Sequence, residues 1–397
     1  MSNQPLSDIK VLEMGSLIAG PFAGRLFGDF GAEVIKVEPP KVGDPLRKWR
    51  LLKNGTSLWW YVQSRNKKCV TLNLREKEGQ EVIRKLVSHV DIVLENFKPG
   101  TMEKWGLGYE ELKKINPKII MVRISGYGQY GPYSSKPGFG SVGEALGGIR
   151  HLTGYPDLPP TRSGISMGDS LAAIYAVMSA MMAIHHRHNT GVGQFIDVAL
   201  YEAVFSLMES LVPEFDKFQF IRERTGSTLP GIAPSNIYMC KDGKYIVIGA
   251  NGDSIFKRLT KAIERPDLEA NEEFASNDGR AKSAQWIDEQ ITAWTKLRDS
   301  GEALKVLDEN QIPSGPIYNV EDMFKDEHFK ARDMLPSVSV DDIGELKMPG
   351  IMPKLSLTPG KIKWAGAKLG AHNDEIYKDL LRISDEEFDN MKESGII

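Results

Sequence analysis

The fold is decided by three short segments near the N-terminus: Ile9-Lys-Val-Leu-Glu-Met14, Gly15-Ser-Leu-Ile-Ala-Gly20 and Glu33-Val-Ile-Lys-Val-Glu38. The two apolar segments predict β-strands, and the segment bounded by glycines predicts a turn. Pro21 suits the first position of a helix, which we expect to reach about Phe30. A strand, a helix and a second strand in this order are typical of a parallel βαβ unit.

The same alternation continues toward the C-terminus. It predicts a helix over 78–90, a strand over 91–96, a short helix from Tyr109 and a strand over 119–125. We therefore expect an α/β fold in which the large domain contains a doubly wound parallel sheet.

One rim of this sheet is the expected ligand site, because ligands bind beyond the carboxyl ends of parallel strands. The segments that follow those ends are 15–20, 38–50 and 96–104. The turn at 15–20 is not a dinucleotide fingerprint, in which a single residue separates the first two glycines. The sequence therefore gives no support to nicotinamide binding.

The character of the sequence changes after Val204. Residues 238–248 form an apolar segment interrupted by Asp242-Gly243, a pattern typical of a β-hairpin. Helical patterns follow it. We predict a large Rossmann-like domain made of residues 1–208 and 325–397, and a smaller α+β domain over 209–324.

Charge and composition exclude several classes of protein. The 397 residues carry 50 basic and 53 acidic side chains, a net charge of -3, which gives no general attraction to nucleic acid or to an anionic membrane. The N-terminal residues lack the pattern of a signal peptide, and no continuous apolar run of about 18 residues occurs. Cys69 and Cys240 show neither metal-ligand spacing nor a disulfide framework, so we expect a cytoplasmic protein without a metal site.

The segment Ser163-Gly-Ile-Ser-Met-Gly-Asp-Ser170 precedes a nearly uncharged run rich in Ala and Met. That run predicts a buried helix over 170–185. Asp169 would lie at its N-terminus, where unpaired N–H groups and the helix dipole favour an ionised carboxylate. Such a carboxylate can act as a nucleophile, and it can equally serve only as an N-cap.

A series of short motifs along essentially the whole chain resembles the class III coenzyme A (CoA) transferases, the CaiB/BaiF-type family. The motifs are Ala19-Gly-Pro21, Gly31-Ala-Glu-Val-Ile-Lys-Val-Glu38, Gly43-Asp44, Arg65-Asn-Lys67, Glu95-Asn-Phe-Lys-Pro-Gly100, Ser125-Gly-Tyr-Gly128, Gly168-Asp169, Gly191-Val-Gly-Gln194, Asp197-Val-Ala-Leu-Tyr-Glu202 and Leu369-Gly-Ala-His-Asn-Asp374. The resemblance implies ring-shaped subunits that interlock in a homodimer.

The resemblance also implies a reaction. Asp169 would attack an acyl-CoA thioester to form an aspartyl anhydride, and an aspartyl-CoA thioester would follow before CoA reaches the acceptor acid. The substrates are then an acyl-CoA and a carboxylic acid, and no cofactor or metal is required. The positions that match the CoA contacts of the family are Leu72, Arg75, Asn96, Phe97 and Lys104. Two matching positions depart from the pattern, because Pro39 and Pro137 stand where formyl-CoA transferase has basic side chains.

The substrate acids are indicated by a closer resemblance to the branch that uses succinyl-CoA and dicarboxylates. Arg47, Arg50 and Arg162 are candidates to hold a distal carboxylate, because a guanidinium binds a carboxylate with two hydrogen bonds. The family tends to carry an acidic residue where this chain has Gly140, and Glu144 is a candidate to replace it. The other substrate-binding candidates are Ile18, Gly249 and Gly252, the last two in a reduced form of the family's glycine-rich loop.

Three alternatives remain at this stage. An α-methylacyl-CoA racemase of the same fold would need a catalytic histidine, and that position holds Phe139 here. A transferase of the formyl-CoA:oxalate type would use the same nucleophile on different acids. A non-catalytic CoA-binding subunit would not need the Gly168-Asp169 pair.

Overall fold

A six-stranded parallel sheet forms the centre of this chain, which is described here by a computed structural model covering residues 4–341 and 343–397. The strands are β1 (Lys10–Glu13), β2 (Glu33–Glu38), β3 (Leu52–Lys53), β4 (Thr56–Ser57), β5 (Lys67–Thr71), β6 (Ile92–Glu95), β7 (Ile120–Ser125), β8 (Phe195–Ala199), β9 (Ser235–Met239), β10 (Tyr245–Gly249), β11 (Ser314–Pro316), β12 (Ser337–Val340) and β13 (Gly344–Lys347). The order in the large sheet is β5-β2-β1-β6-β7-β8, and every neighbouring pair is parallel. The predicted parallel sheet is therefore confirmed.

The helices connect these strands and form most of the remaining structure. They are α1 (Ala19–Asp29), α2 (Leu58–Gln63), α3 (Lys77–Val87), α4 (Thr101–Lys104), α5 (Tyr109–Ile115), α6 (Gly140–Leu146), α7 (Ile149–Leu152), α8 (Met167–Thr190), α9 (Leu200–Phe205), α10 (Leu211–Phe218), α11 (Asp253–Ala262), α12 (Pro266–Ala270), α13 (Asn277–Lys282), α14 (Ala284–Thr295), α15 (Ser300–Glu309), α16 (Val320–Lys325), α17 (Glu327–Ala331) and α18 (Asp385–Glu393). Short 3₁₀ turns lie at Pro45–Lys48 and Glu272–Phe274, and a π-helical turn lies at Glu375–Leu380.

Several elements were predicted correctly, and two strands of the large sheet were missed. β2 has the predicted bounds, and the other predicted strands of the sheet end within two residues of the prediction. The strand β5 was missed because it opens with Lys67-Lys68, and β8 was recognised only as part of a motif. Helix α1 begins two residues before Pro21, so proline occupies the first turn but not its first position.

The chain divides into two compact units. The first unit contains the residues up to Arg150, then Ser163–Gln219 and His328–Ile397, and it carries the parallel sheet. The second contains His151–Arg162 and Phe220–Glu327. Residues 151–162 thus belong to the second unit, a segment that the predicted domain division had not assigned to it.

Helix α8 packs one face against the sheet and α1. Five alanines on that face, Ala172, Ala173, Ala176, Ala180 and Ala183, are almost fully buried in one core cluster. Small side chains let the helix backbone approach the strands closely, which explains the alanine-rich sequence. Among the described residues, α8 is also the one helix long and apolar enough to cross a membrane by length and composition alone. The core helix of a soluble protein meets the same criterion.

The second unit is organised around its own antiparallel sheet, in the order β11-β10-β9. The predicted hairpin is confirmed, since Met239 pairs with Tyr245 on either side of Asp242-Gly243. Helices of this unit cover the sheet through a separate apolar cluster that includes Ile246, Ile287 and Trp294.

Candidate active site

Asp169 lies in the first turn of α8, a 24-residue helix that begins at Met167. The helix starts earlier than the predicted Ser170, and Ser166 is its N-cap. Asp169 is therefore not the capping residue, and the N-cap interpretation is wrong. The unpaired N–H groups and the positive end of the helix dipole stabilise negative charge at this position.

The Asp169 carboxylate rests directly against the backbone of α6 at Gly140. A Cβ atom added to Gly140 would lie 2.0 Å from Asp169 Oδ2 and 2.7 Å from its Cγ. The position that is commonly acidic in the family is thus occupied by the nucleophile candidate's own side chain. Gly140 sets the orientation of that carboxylate by leaving room for it.

We expect Gly140→Ala to reduce kcat/KM for CoA transfer about 10- to 100-fold, because the added methyl group forces Asp169 into another rotamer and misplaces its carboxylate. The melting temperature should change little, since the side chain that moves is flexible. Gly301→Ala is the matched control, because its methyl group meets nothing within 4 Å. Equal kinetics in the two variants would contradict the role of Gly140.

Glu144 lies beside Asp169 and is almost fully buried, with 2% of its surface exposed. Its Oε1 accepts a hydrogen bond from the Gly168 N–H at 3.3 Å, and its Oε2 lies 3.4 Å from Nη2 of Arg150. The predicted substrate-binding candidate therefore contacts the residue that precedes Asp169.

Arg150 was missed by the sequence analysis. It reaches Glu144 because Gly147-Gly148 reverses the chain between α6 and α7, with Gly148 at φ +98°. A Cβ on Gly147 would lie 2.7 Å from the Tyr201 carbonyl oxygen, so the turn also needs glycine for a close approach to α9. The two adjacent glycines are the sequence feature from which this turn could have been predicted.

A cavity of about 710 Å³ opens at the carboxyl ends of β1, β2 and β5. Leu72, Arg75 and Phe97, three of the predicted CoA contacts, line it together with Gly15, Ser16, Pro39 and Lys41. Asn96 is not among the lining residues, but its side-chain amide holds Ser16, which lines the cavity, through two hydrogen bonds of 2.8 and 2.9 Å. Lys104 is exposed on α4 and is not among the lining residues.

Buried charges fix the loops around this cavity. Lys36 donates to the Gly15 carbonyl and to Asp44, and Asp44 accepts from the Leu17 and Leu46 N–H groups. Burial alone would lower the pKa of Lys36, but Asp44, Glu13 and Glu38 together raise it. The ammonium therefore stays charged and ties the loop after β1 to the loop after β2.

A second charged cluster holds the segment that follows β6. Glu95 accepts from the Phe97 N–H at 2.7 Å and from Arg123 Nε at 2.9 Å, and Arg123 also binds Glu103 on α4. Burial raises the pKa of Glu95 to about 7, against the opposing effect of Arg123. The carboxyl group that anchors Phe97 thus changes its ionisation near neutral pH.

We expect the KM for acyl-CoA to rise about three- to tenfold as the pH falls from 8 to 6, because protonation of Glu95 weakens its charge-assisted hydrogen bonds. Glu95→Gln should keep the weaker binding at every pH and lose this transition. Glu103→Gln is the control, because burial would raise the pKa of Glu103 but Arg123 outweighs it, so that this pKa is lowered. If the KM of Glu95→Gln depended on pH as that of the wild type does, Glu95 would not be the group that titrates. The CoA phosphates titrate equally in both proteins, so their effect cancels when the two pH profiles are compared.

The remaining candidates of the first unit, Arg47, Arg50 and Ile18, contact other residues. Arg47 is buried, binds Glu38 through Nε and Nη2 at 2.7 Å each, and stacks on Trp60. Arg50 is exposed over the ring of Trp59. Ile18 is the N-cap of α1, and its carbonyl accepts a hydrogen bond from Gln63.

Three further candidates belong to the second unit. Arg162 is exposed at the end of the segment 151–162. Gly249 ends β10, and Gly252 is the N-cap of α11, so the two glycines bound a turn between a strand and a helix. The fully buried Arg280 donates to the Asn251 carbonyl and fixes that turn.

The chain is similar to known proteins over almost its whole length. The profile of CoA-transferase family III matches residues 6–373. The chain is 50% identical over 395 residues to the succinyl-CoA–D-citramalate CoA-transferase of Chloroflexus aurantiacus, covering 99% of this chain and 98% of that protein. It is 31% identical over 399 residues to the human succinyl-CoA:glutarate CoA-transferase, covering 99% and 90%. The crystal structure of a CAIB/BAIF family protein from Brucella suis superposes with a TM-score of 0.83 at 33% identity, covering 95% of this chain and 100% of that one.

Proposed function

Because the chain belongs to CoA-transferase family III, we propose that it moves CoA from succinyl-CoA to a dicarboxylic acid through intermediates on Asp169. Its family makes it a CoA-transferase; the donor, the acceptor and the covalent path are the proposal. Relatives at 50% and 31% identity are named for succinyl-CoA together with citramalate or glutarate, which supports this choice of acids.

The observation that carries the covalent path is the position of Asp169, in the first turn of α8 and against Gly140. In the first step, a carboxylate oxygen of Asp169 attacks the thioester carbonyl of succinyl-CoA. The C–S bond breaks, the thiolate leaves with the electron pair, and a succinyl-aspartyl anhydride forms. The thiolate then attacks the aspartyl carbonyl, which releases succinate and gives an aspartyl-CoA thioester.

The second half repeats these steps with the acceptor. The acceptor carboxylate attacks the aspartyl-CoA carbonyl and displaces the thiolate, which leaves an acceptor-aspartyl anhydride. The thiolate attacks the acceptor's acyl carbonyl, forms the new CoA ester and returns the Asp169 carboxylate. Protons and oxidation states are unchanged throughout, so the reaction requires no metal and no cofactor beyond its CoA substrate. Three covalent intermediates, two anhydrides and one thioester, divide one difficult exchange into easier steps.

The experiment that tests this proposal is mass spectrometry after incubation with succinyl-CoA or formyl-CoA and citramalate, malate, glutarate or oxalate, with a branched acyl-CoA in deuterated water as a separate sample. We expect a new CoA ester with at least one of the C4 or C5 dicarboxylates, together with free succinate. Transfer from formyl-CoA to oxalate alone would replace the proposal with the oxalate type. Exchange of the α-proton of a branched acyl-CoA in deuterated water, without transfer, would favour the racemase. Against the racemase stands Phe139, which occupies the position of the racemase's catalytic histidine, is 65% exposed and cannot carry a proton. CoA binding without any turnover would indicate a non-catalytic subunit.

We further propose that two copies of the chain interlock as ring-shaped subunits, as the family resemblance implies. Helices α6, α8, α9 and α10 carry exposed apolar side chains that a second copy would cover: Val142, Leu146, Ile174, Met178, Met182, Phe205, Phe215 and Phe218. Three of them recur every fourth residue along α8 and so form one stripe. Light scattering should give twice the chain mass of 44.2 kDa, and a monomer would overturn the proposal.

The proposed site of the reaction is the cytoplasm, in keeping with two free buried cysteines.

A further inference from the structure

The pair formed by Glu144 and Arg150 has the properties of a selectivity element for the acyl group. It lies in the first unit beside Gly168-Asp169, where the acyl group would be attached in the proposed function. The Glu144 Cγ atom is 3.3 Å from the position that a Cβ on Gly168 would take, so the glutamate packs against the start of α8. Any group held by this pair is therefore close to the reacting carboxylate.

Arg150 keeps hydrogen-bonding capacity that its contact with Glu144 does not use. That contact is a single one of 3.4 Å, longer than the usual 2.7–2.9 Å of a charge-assisted hydrogen bond. Within the described part of the chain, Arg150 Nε is buried and lacks a hydrogen-bond partner. A guanidinium has five N–H donors, and a buried donor without an acceptor is destabilising. A ligand that accepts these hydrogen bonds would remove that cost.

The other arginine candidates differ in this respect. Both the Nε and Nη2 groups of Arg47 are already bound to Glu38, and the face of its guanidinium is covered by the Trp60 ring. Arg50 projects over the partly buried ring of Trp59. Arg150 is 28% exposed at its side chain, so solvent or a ligand can reach it, while Glu144 is 2% exposed and holds it from behind.

We propose that Arg150 binds the distal carboxylate of the dicarboxylic acyl group, and that Glu144 positions the guanidinium for this contact. The inference rests on the proposed function, since it concerns the acid that is joined to Asp169. A dicarboxylate presents one carboxylate to the reacting centre and a second one to Arg150. A monocarboxylate of the same chain length leaves the guanidinium without its acceptor, and the enzyme therefore discriminates against it.

The test compares two acceptors of equal length, glutarate and pentanoate, in Arg150→Met, Arg150→Lys and the wild type. In a ping-pong reaction the kcat/KM of an acceptor reports only its own half-reaction, so loss of succinyl-CoA binding does not confuse the result. We expect Arg150→Met to lower kcat/KM for glutarate about 10- to 100-fold, in line with the strength of a hydrogen-bonded charge pair. Pentanoate should change less than about twofold, and Arg150→Lys should recover part of the loss because it keeps the charge without the planar fork.

Two controls make the outcomes distinct. Arg332→Met changes an exposed arginine and should leave both acceptors unaffected. Where pentanoate turnover is slow, its inhibition constant against glutarate gives the same comparison. An equal loss for both acceptors in Arg150→Met would overturn the inference while leaving transfer through Asp169 intact. Transfer that persists in Asp169→Ala would instead overturn the proposed function.

Discussion

Asp169→Ala is expected to abolish CoA transfer, with kcat falling about 10⁴-fold or more, the scale on which removal of an enzyme's nucleophile acts. The carboxylate forms all three covalent intermediates in the proposed path, and the positive end of the α8 dipole favours negative charge at this position. The measurement is the initial rate of formation of the acceptor's CoA ester, separated by chromatography.

Asp169→Asn is the more stringent variant, because it keeps the shape of the side chain and removes only the charge and the nucleophilic oxygen. It should lose activity to the same extent as Asp169→Ala. Affinity for free CoA should stay within about threefold, since the cavity lined by Leu72, Arg75 and Phe97 is formed by other residues. Trapping the wild type with hydroxylamine after addition of succinyl-CoA should modify the peptide that contains Asp169. A variant within tenfold of the wild-type rate would place the nucleophile elsewhere.

The elements that could be predicted from the sequence are those whose pattern is local. β2 contains three β-branched residues, Val34, Ile35 and Val37, between a glycine turn and two prolines, and its bounds were predicted correctly. The position of Asp169 at the start of a long helix was predictable because Gly168-Asp169 stands at the beginning of a long alanine-rich segment. In both cases the information lies within a few consecutive residues, where periodicity and breakers are visible.

The features that were missed depend on contacts between distant parts of the chain. β5 begins with a lysine that is fully buried only because it meets Glu13 on β1. Arg47 was expected to hold a substrate, but its partner, Glu38, lies nine residues before it across a loop. The approach of Asp169 to Gly140 likewise follows from the packing of α6 against α8, and that of Arg150 to Glu144 follows from the turn at Gly147-Gly148. A hydropathy pattern contains no information about such pairings.

Lys67→Met should destabilise the protein by about 3–5 kcal/mol, the cost of leaving a buried charge without its partner. Glu13 is completely buried in the centre of the sheet, with Lys67 Nζ 2.8 Å from Oε2 and Lys36 Nζ 3.2 Å from Oε1. Lys36 cannot compensate fully, because it also binds Asp44. Burial lowers the pKa of Lys67 despite the opposing effect of Glu13, so this pair already carries a large desolvation cost.

Urea unfolding at pH 7 and a fixed protein concentration measures the effect, provided that the slope with urea is unchanged. Lys68→Met is the matched control, since the adjacent Lys68 is partly exposed between Glu33 and Glu375 and should contribute less than about 1 kcal/mol. Adding Glu13→Leu to Lys67→Met should restore most of the lost stability, because an apolar pair of similar volume can replace a buried ion pair. If Lys67→Met lowers the free energy of unfolding by no more than Lys68→Met does, Lys36 alone must compensate the charge of Glu13. The ion pair would then be dispensable to the sheet, and β5 would be held by its apolar residues.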